Sequence, residues 1–289
     1  DGIAERWTYQ DFLKKVLAEK PDLIVIETKT PVVKKHWKII EELKILAGNG
    51  WQLKTVLTGD HVTALPEESM RNSQVDYVLT GGDFDLLLLN LCQHITRNEK
   101  LLPGIWYREN SKVKDTGKFQ LSHDLNNLPF IDRDLAKWQL YAYDNGNYKR
   151  TPGTYTMAGR DCWWARFTFC SWTTIFPKFR TRTPENLLDE IGILIEKYKV
   201  REIMDDTGTF PAGGWLEKFC QGMISRGYHK KINFNCNMRF GVLNQKQYDL
   251  MGKAGFRFIL YGLESANQKT LDRLNKGTKV GEIARDCQM

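Results

Sequence analysis

Long apolar runs, a signal segment and a regular cysteine framework are all missing from this sequence. The longest apolar run, Leu86–Leu89 continued by Leu91, is far shorter than the ~20 residues that a membrane-spanning helix needs. The first residues show no basic, apolar and small-residue succession of a secretory signal. Six cysteines at irregular spacing in 289 residues do not form a disulfide framework. A protein of the reducing cytoplasm is therefore expected.

A concentrated basic region is also missing, although the formal net charge is +7. The positive charge is spread over short pairs such as Lys14-Lys15, Lys34-Lys35 and Lys230-Lys231. Because a nucleic-acid-binding arm normally clusters its lysines and arginines, this spread favours a solvated surface over a nucleic-acid partner. The hydrophobic fraction of 42% and charged fraction of 27% are those of a folded protein with one large or two ordinary α/β domains.

Strand-like and helix-like segments alternate in the first hundred residues. Apolar runs predict strands at Asp22–Glu27, Gln52–Leu57 and Val75–Leu79, and amphipathic segments predict helices at Tyr9–Glu19, Pro31–Ala47, Pro66–Arg71 and Asp85–Thr96. This order predicts a doubly wound parallel sheet of the Rossmann-like type, in which ligands bind beyond the carboxyl ends of the strands. Small and hydroxyl residues follow each of these ends, at 27–30, 58–63 and 80–82.

A second alternating series begins at Thr154. It predicts strands at Thr154–Ala158, Val200–Asp205, Lys231–Asn235 and Phe256–Tyr261, and helices at Pro184–Tyr198, Gly214–Arg226, Asn244–Lys253 and Asn267–Asn275. Four such units are half of a usual (β/α) barrel, so a partial barrel is expected.

The intervening segment predicts a hairpin with a turn near Asp115–Gly117, followed by a linker. The expected organisation is therefore residues 1–100 as the first domain, 101–150 as hairpin and linker, and 151–289 as the partial barrel. Because Met289 falls inside a predicted helix and the first sheet has no strand before its first helix, we expect a chain truncated at both ends.

Two cysteines, Cys162 and Cys170, lie in the aromatic-rich stretch 159–172. Thiolates are the preferred ligands of iron–sulfur clusters, so a loop with clustered cysteines is a candidate metal site. The plainer alternative is that both are buried thiols that pack as small apolar groups. Structural roles are expected for Cys92, Cys220, Cys236 and Cys287.

The assembled motifs resemble the cobalamin-binding radical S-adenosylmethionine (SAM) family. The cluster loop of that family typically reads Cys-x3-Cys-x2-Cys after the first barrel strand, whereas this chain reads Cys-x4-Phe-x2-Cys, with Phe167 at the middle position. Phe169, just before the second cysteine, matches the aromatic residue that in this family usually lies near the adenine of SAM. Three segments of this chain resemble later strand ends of the family, and a fourth resembles the helix that follows them; they are Met204–Thr209, Asn235–Phe240, Tyr261–Ser265 and Leu271–Gly277.

The resemblance implies three cofactors. A [4Fe–4S] cluster with an incomplete ligand set would use Cys162 and Cys170. SAM would contact Phe169, Asp205, Asp206, Thr207, Arg239 and Glu264. Cobalamin would lie on small strand-end residues of the first domain, namely Thr28, Thr30, Gly59, His61, Gly81 and Gly82. The usual Asp-x-His-x-x-Gly cobalt-ligand motif is absent.

Each assigned residue has a structural alternative. Asp205 and Asp206 could form a turn pair, and Arg239 could pair with a surface carboxylate. Glu264 could cap the helix that begins near Asn267, and His61 could be a hydrogen-bonded loop residue. The tryptophans could be core anchors, which is compatible with shielding a cluster; they are Trp163, Trp164 and Trp172.

Three functions therefore stay open. The resemblance implies a cobalamin-dependent radical SAM enzyme, a methyltransferase or a related radical catalyst, with a reductant such as flavodoxin or ferredoxin and an unidentified substrate. A catalytically inactive corrinoid- or SAM-binding relative is the first alternative. An unrelated α/β protein with structural cysteines is the second. No catalytic side chain is assigned by the sequence.

Overall fold

The computed structural model describes residues 2, 4–48 and 50–289, with the side chain of residue 174 left aside. The chain forms two compact units. The first comprises Asp1–Ser122 and Thr174–Pro177, and the second comprises His123–Thr173 and Lys178–Met289. The fold is thus a mixed α/β fold, with a mixed sheet in the first unit and a parallel sheet in the second.

The first unit is built on a five-stranded sheet with the order β1-β2-β3-β4-β5. Its strands are β1 Leu23–Glu27, β2 Lys54–Thr58, β3 Tyr77–Leu79, β4 Ile105–Glu109 and β5 Lys112–Asp115. Its helices are α1 Tyr9–Glu19, α2 Val33–Ala47, α3 Asp60–Ala64, α4 Pro66–Asn72 and α5 Phe84–Arg97. The first three strands are parallel, as predicted, and β4 and β5 add an antiparallel hairpin.

The predicted position of the hairpin turn is wrong. The turn lies at Asn110 and Ser111, whose φ angles are 50° and 64°, and Asp115–Gly117 follows the second strand. Two positive φ angles between paired strands are typical of a tight hairpin turn whose twist matches that of the strands. The hairpin also pairs with β3, so it completes the first sheet instead of leading into a linker.

The described strands of the first sheet follow one another in chain order. A doubly wound sheet reverses its strand order at a switch point, and no such reversal occurs among the described strands. The parallel α/β architecture is therefore observed, and the doubly wound arrangement stays a prediction.

The second unit is built on a four-stranded parallel sheet with the order β11-β10-β9-β6. Its strands are β6 Gly153–Thr156, β7 Gly159–Arg160, β8 Arg180–Thr181, β9 Glu202–Asp205, β10 Asn233–Met238 and β11 Phe256–Tyr261, with β7 and β8 forming a separate small ladder. The helices after Ser122 are α6 Trp172–Ile175, α7 Pro184–Glu196, α8 Gly214–Ser225, α9 Gln245–Lys253, α10 Gln268–Arg273 and α11 Val280–Gln288.

Aromatic side chains form the centre of the second core. Phe210, Phe219 and Phe234 are fully buried, and their rings lie 5.0–5.7 Å apart in tilted and edge-to-face arrangements. Such pairs add to the burial energy through their quadrupoles. This core sets the spacing of helix α8 and strands β9 and β10. It therefore sets the positions of the strand ends that carry the candidate site. Among the described helices, none has the length and apolar character to cross a membrane.

Candidate cofactor site

Asp205 ends strand β9 and is fully buried. It lies beside Thr156 of β6 in the sheet register, and its carboxylate accepts hydrogen bonds from the Thr156 hydroxyl at 3.0 Å and from the Thr207 backbone N–H at 3.1 Å. Burial raises the pKa of Asp205 to about 7, although these hydrogen bonds act in the opposite direction. Asp205 therefore anchors the strand end from inside the protein, as the turn-pair alternative expected.

Asp206, the next residue, is exposed. Its backbone N–H donates to the carbonyl of Thr156 at 2.9 Å, and the side-chain amide of Asn237 lies 3.5 Å from its Oδ1 atom. The two adjacent carboxylates thus have different environments. Asp205 makes its hydrogen bonds inside the protein. The Asp206 side chain is exposed at the carboxyl end of the sheet, where ligands of such folds bind.

Thr207 is fully buried and its hydroxyl is engaged by the protein itself. Its Oγ1 atom accepts a hydrogen bond of 3.0 Å from the backbone N–H of Gly159. This bond joins the strand that precedes the cysteine loop to the end of β9. We therefore find Thr207 in a position that supports the loop, with its hydroxyl committed.

The two candidate metal ligands differ in their surroundings. Cys162 is buried, and its Sγ atom lies 2.9 Å from the hydroxyl of Thr209, whereas Cys170 is partly exposed. Across the described residues, no group of three or more His, Cys, Asp or Glu side chains is arranged to hold a metal ion. The structure therefore does not combine the two cysteines with a third ligand.

Asp161 was not assigned by the sequence analysis, yet it is the fully buried neighbour of Cys162. Its Oδ1 atom accepts a hydrogen bond from the backbone N–H of Cys162, and its Oδ2 atom has no partner among the described residues. Burial raises the pKa of Asp161 to about 7, and the charge of Arg180 opposes this shift. Only its place before the first cysteine could have drawn attention to it.

Phe167, at the position where the resemblance expects a middle cysteine, packs against two cationic side chains. The Nζ atom of Lys276 lies 4.6 Å from the centre of its ring, and the guanidinium carbon of Arg239 lies 5.8 Å from it. The Phe169 ring stacks on Phe167 at 5.3 Å and is itself 52% exposed. Cations over ring faces are attracted by the ring quadrupole. The middle position of the loop therefore contributes packing contacts where a cluster loop would contribute a ligand.

Backbone and side-chain contacts fix the same loop to the segment 274–277. The indole N–H of Trp164 donates to the carbonyl of Asn275 at 2.9 Å, and the Asn275 amide donates to the carbonyl of Arg166 at 2.9 Å. Gly277, with φ of 66°, lies against the Trp164 ring so closely that an added Cβ would be 2.2 Å from it. Trp164 is thus an anchor of the loop, as the core-anchor alternative expected.

Arg239 lies just beyond strand β10 and is 5% exposed. Its guanidinium lies 3.8 Å from the centre of the Trp164 ring and donates to the carbonyl of Lys276. Burial lowers the pKa of Arg239. Its Nε atom has no hydrogen-bond partner, and no ion pair among the described residues involves it. The expected pairing with a surface carboxylate is therefore wrong.

Glu264, with φ of 53°, forms an ion pair of 2.5 Å with Lys276. It does not cap the following helix, because the Asn267 side chain accepts the hydrogen bond from the Thr270 N–H of α10. The capping alternative for Glu264 is wrong. Lys276 itself, which is 3% exposed and touches both Glu264 and Phe167, was missed because its motif gave no reason to expect a buried lysine.

In the first unit, His61 and its neighbours are engaged with one another. The Nδ1 atom of His61 lies 3.1 Å from the Thr30 hydroxyl, and its Nε2 atom lies 3.4 Å from a carboxylate oxygen of Glu68, outside good hydrogen-bond geometry. Thr28 is fully buried and its hydroxyl lies 2.9 Å from Nδ1 of His36. His61 is therefore a buried, internally contacted residue, which agrees with its structural alternative.

The glycines of the first unit do not leave an open face. Gly59, with φ of 110°, is required by its close approach to Thr28, because a Cβ would lie 2.4 Å from the Thr28 carbonyl oxygen. Gly81 is covered by the Phe119 ring and Gly82 by the Phe176 ring. The expectation that Gly81 and Gly82 present free space is wrong for this structure, since aromatic side chains fill it.

No family model matches the chain. It is 27% identical over 285 residues to an uncharacterized methyltransferase of Pyrococcus horikoshii, covering 96% of this chain and 59% of the relative. It is 24% identical over 299 residues to the anaerobic magnesium-protoporphyrin IX monomethyl ester cyclase of Rubrivivax gelatinosus, covering 100% of this chain and 52% of that protein. Its fold matches that of the radical SAM methyltransferase TsrM of Kitasatospora setae, solved with tryptophan and a SAM analog, with a TM-score of 0.76 and 15% identity. The match covers 99% of this chain and 57% of that one.

The chain is thus similar in sequence to a methyltransferase and to a porphyrin-ester cyclase, and similar in fold to a radical SAM methyltransferase. A second TsrM structure, solved with cobalamin and a [4Fe–4S] cluster, matches with a TM-score of 0.71 and 15% identity over 96% of this chain and 56% of that one. The chain spans between half and three fifths of the length of these proteins. Because the matches extend over nearly the whole chain, the alternative of an unrelated α/β protein is wrong.

Proposed function

We propose that the chain is part of a cobalamin-dependent radical SAM enzyme, of the methyltransferase type or a related radical catalyst. The observation that carries the proposal is the difference in burial between the adjacent carboxylates of Asp205 and Asp206 at the end of β9. A buried carboxylate fixes the strand end, and an exposed one is held beside Asn237 at the next strand. An exposed carboxylate in this place suits the ammonium group of an amino-acid cofactor.

The other residues predicted to contact SAM differ in whether their polar atoms or rings are already engaged by the protein. The exposed ring of Phe169 suits stacking with an adenine, and the unpartnered Nε of buried Arg239 suits a carboxylate. Glu264 would have to share its charge with Lys276, and the hydroxyl of Thr207 is already committed to Gly159. We therefore assign the binding of SAM chiefly to Asp206, Phe169 and Arg239.

The donor set does not fit a complete [4Fe–4S] cluster. When bound to such a protein, a reduced cluster supplies the electron that cleaves SAM. Cys162 and Cys170 supply two thiols, Cys162 contacts a threonine hydroxyl, and Phe167 is packed against Lys276. The covered glycines likewise do not fit a corrinoid without rearrangement. A flavodoxin- or ferredoxin-like reductant is an implication of the resemblance.

The packing of Phe167 favours a second candidate, a catalytically inactive relative that binds SAM or a corrinoid. A loop fixed by Trp164, Phe167 and Asn275 needs no metal to define its conformation. This candidate shares the SAM site with the first and differs from it in the cluster.

Calorimetric titration with SAM tests the feature common to both candidates. We expect Asp206→Ala to weaken binding by about 1–3 kcal/mol, the range for removing one partner of a charged hydrogen bond. Asp249→Ala, at an exposed position on α9 where the carboxylate accepts a hydrogen bond from the Gln245 side chain, is the matched control and is expected to bind as the unchanged protein does. Equal affinities for the Asp206 variant and the control would remove Asp206 from the site.

A further inference from the structure

Two aromatic rings lie directly on the glycine backbone at the carboxyl end of β3. We call Gly81, Gly82 and Gly104 the glycine crest. A Cβ added at Gly81 would be 2.5 Å from the Phe119 ring, one at Gly82 would be 1.8 Å from the Phe176 ring, and one at Gly104 would be 2.6 Å from Cβ of Phe119. Each ring therefore fills the space that a side chain of the crest would otherwise occupy.

The crest itself is firmly held by the first unit. The backbone N–H of Gly81 donates to the Thr63 hydroxyl at 2.9 Å, and the Thr80 hydroxyl donates to the Gly104 carbonyl at 2.8 Å. The N–H of Gly82 donates to the carbonyl of Ile175 at 3.0 Å, next to Phe176 in the chain. The backbone of the glycine crest is thus fixed by hydrogen bonds to helix and loop residues.

Both rings come from segments that lie outside the strands of the sheet. Phe119 follows the end of β5 by four residues and is partly exposed, and Phe176 directly follows α6 and is 8% exposed. Phe176 belongs to the short stretch Thr174–Pro177, which joins the first unit although the residues on both sides of it belong to the second. Either ring can move without the loss of a strand-to-strand hydrogen bond.

The position of the rings decides what they do to a ligand. Ligands of parallel α/β sheets bind beyond the carboxyl ends of the strands, and the glycine crest continues from the end of β3. Since the rings are in contact with the crest, a ligand cannot reach the glycine backbone while they stay in place. The sequence predicted an open glycine surface at this edge, whereas the structure has it covered by two aromatic rings.

We propose that Phe119 and Phe176 form a two-ring cover over the glycine crest, which a corrinoid must displace in order to bind to the first unit. The inference rests on the proposed function, because it takes a corrinoid as the ligand of this edge. The cover makes the binding-competent form a fraction of the population, and the apparent affinity falls by that fraction. The two rings then set the rate and strength of corrinoid uptake.

The test is a titration of the protein with hydroxocobalamin, followed by the visible spectrum and by the rate of its change. We expect Phe119→Ala and Phe176→Ala each to strengthen apparent binding and to speed it, by about tenfold or more if the covered form dominates. Phe12→Ala is the control, since this phenylalanine packs in the α1 cluster of the same unit without contacting the crest. Thermal unfolding of each protein checks that it is folded, and Phe119→Leu and Phe176→Leu replace any alanine variant that is not.

The outcomes separate the cover from the proposed function. Variants that bind with unchanged or weaker affinity while the unchanged protein also binds would overturn the cover and leave the corrinoid assignment standing. Failure of every protein to bind would overturn the cover together with the corrinoid assignment, and the SAM titration would still report on the second unit. Tighter and faster binding by the ring variants, with the Phe12 control unchanged, is the result that supports the cover.

Discussion

The carboxyl ends of the parallel strands in the two units occupy equivalent places in their folds and differ in what they offer a ligand. In the second unit, polar side chains extend from the strand ends, with Asp205 buried and Asp206 exposed. In the first unit, the strand end continues into a glycine crest that Phe119 and Phe176 cover. The difference teaches that an exposed carboxylate at a strand end can be reached from solvent, whereas a glycine surface can be reached only when nothing else packs on it.

The largest expected effect concerns the buried carboxylate of the second unit. Its pKa of about 7 in the folded protein is above the ordinary value of 3.8, so the folded state retains a proton that the unfolded chain releases. The stability from this group is therefore fully present below about pH 4 and falls as the pH rises toward 7. Asp205→Asn keeps the shape of the protonated side chain and is expected to remove this loss, by at most roughly 4 kcal/mol.

Urea unfolding at about pH 5 and about pH 8 measures this effect. We expect the advantage of the Asp205→Asn variant over the unchanged protein to grow at the higher pH. Asp249→Asn, at an exposed position, provides the comparison and is expected to show no such growth. A pH-independent difference for Asp205→Asn would mean that the carboxylate is ionised in the folded protein throughout this range.

The second effect concerns the crest. Gly82→Ala places a methyl group where the Phe176 ring lies, and overpacking of this kind costs about 1–3 kcal/mol of unfolding free energy. Gly252→Ala in α9, where nothing lies within 4 Å of an added Cβ, is expected to stabilise the protein by about 1 kcal/mol through helix propensity. Urea unfolding of both variants measures the contrast. If Gly82→Ala behaved like Gly252→Ala, the ring would not be packed on the crest.

The smallest effect is expected at His61. Its side chain is 4% exposed and its Nδ1 atom lies 3.1 Å from the Thr30 hydroxyl, so the ring would have to leave the interior of the first unit to reach a cobalt ion. The visible spectrum of bound hydroxocobalamin is therefore expected to be nearly the same in the His61→Ala variant. A shift of the cobalt absorbance bands in that variant, with corrinoid still bound, would show that His61 does ligate the metal.

The sequence predicted the regular elements well because their apolar periodicity reflects burial directly. Strand β11 was predicted with its observed bounds, and strand β10 begins at Asn233 instead of Lys231 because a short 3₁₀ turn at Tyr228–Lys230 precedes it. The hairpin turn was misplaced because Asp115–Gly117 has the composition of a turn, whereas Asn110 and Ser111 form one through backbone angles that composition does not reveal.

The candidate site was predictable in its residue types and less so in their contacts. Asp205 and Asp206 are adjacent in sequence, and only the sheet register decides which of them is buried. The partner of Glu264 is Lys276, twelve residues later, and the covers of Gly81 and Gly82 come from residues 119 and 176. Such contacts depend on tertiary packing between segments whose spacing in sequence carries no signal.

Packing contacts and hydrogen bonds, and not a complete ligand set, hold the cysteine loop. Phe167 meets Lys276 and Arg239, and the loop is hydrogen-bonded to Asn275. Two thiolates leave two irons of a cubane cluster without protein ligands, so a cluster is expected to be substoichiometric and easily lost. Phe167→Cys places a thiol at the position where the resemblance expects one and removes the ring contacts, whereas Phe169→Cys removes a neighbouring ring and adds a thiol outside that position.

The most direct measurement is the iron content of the protein, of Phe167→Cys and of Phe169→Cys after anaerobic reconstitution with iron and sulfide. The account predicts low iron in the unchanged protein and in Phe169→Cys, with a clear rise in Phe167→Cys and a broad absorbance that dithionite bleaches. Equal iron content in the unchanged protein and Phe167→Cys, near four irons for each chain, would contradict it and would mean that this loop binds a full cluster without the middle thiolate.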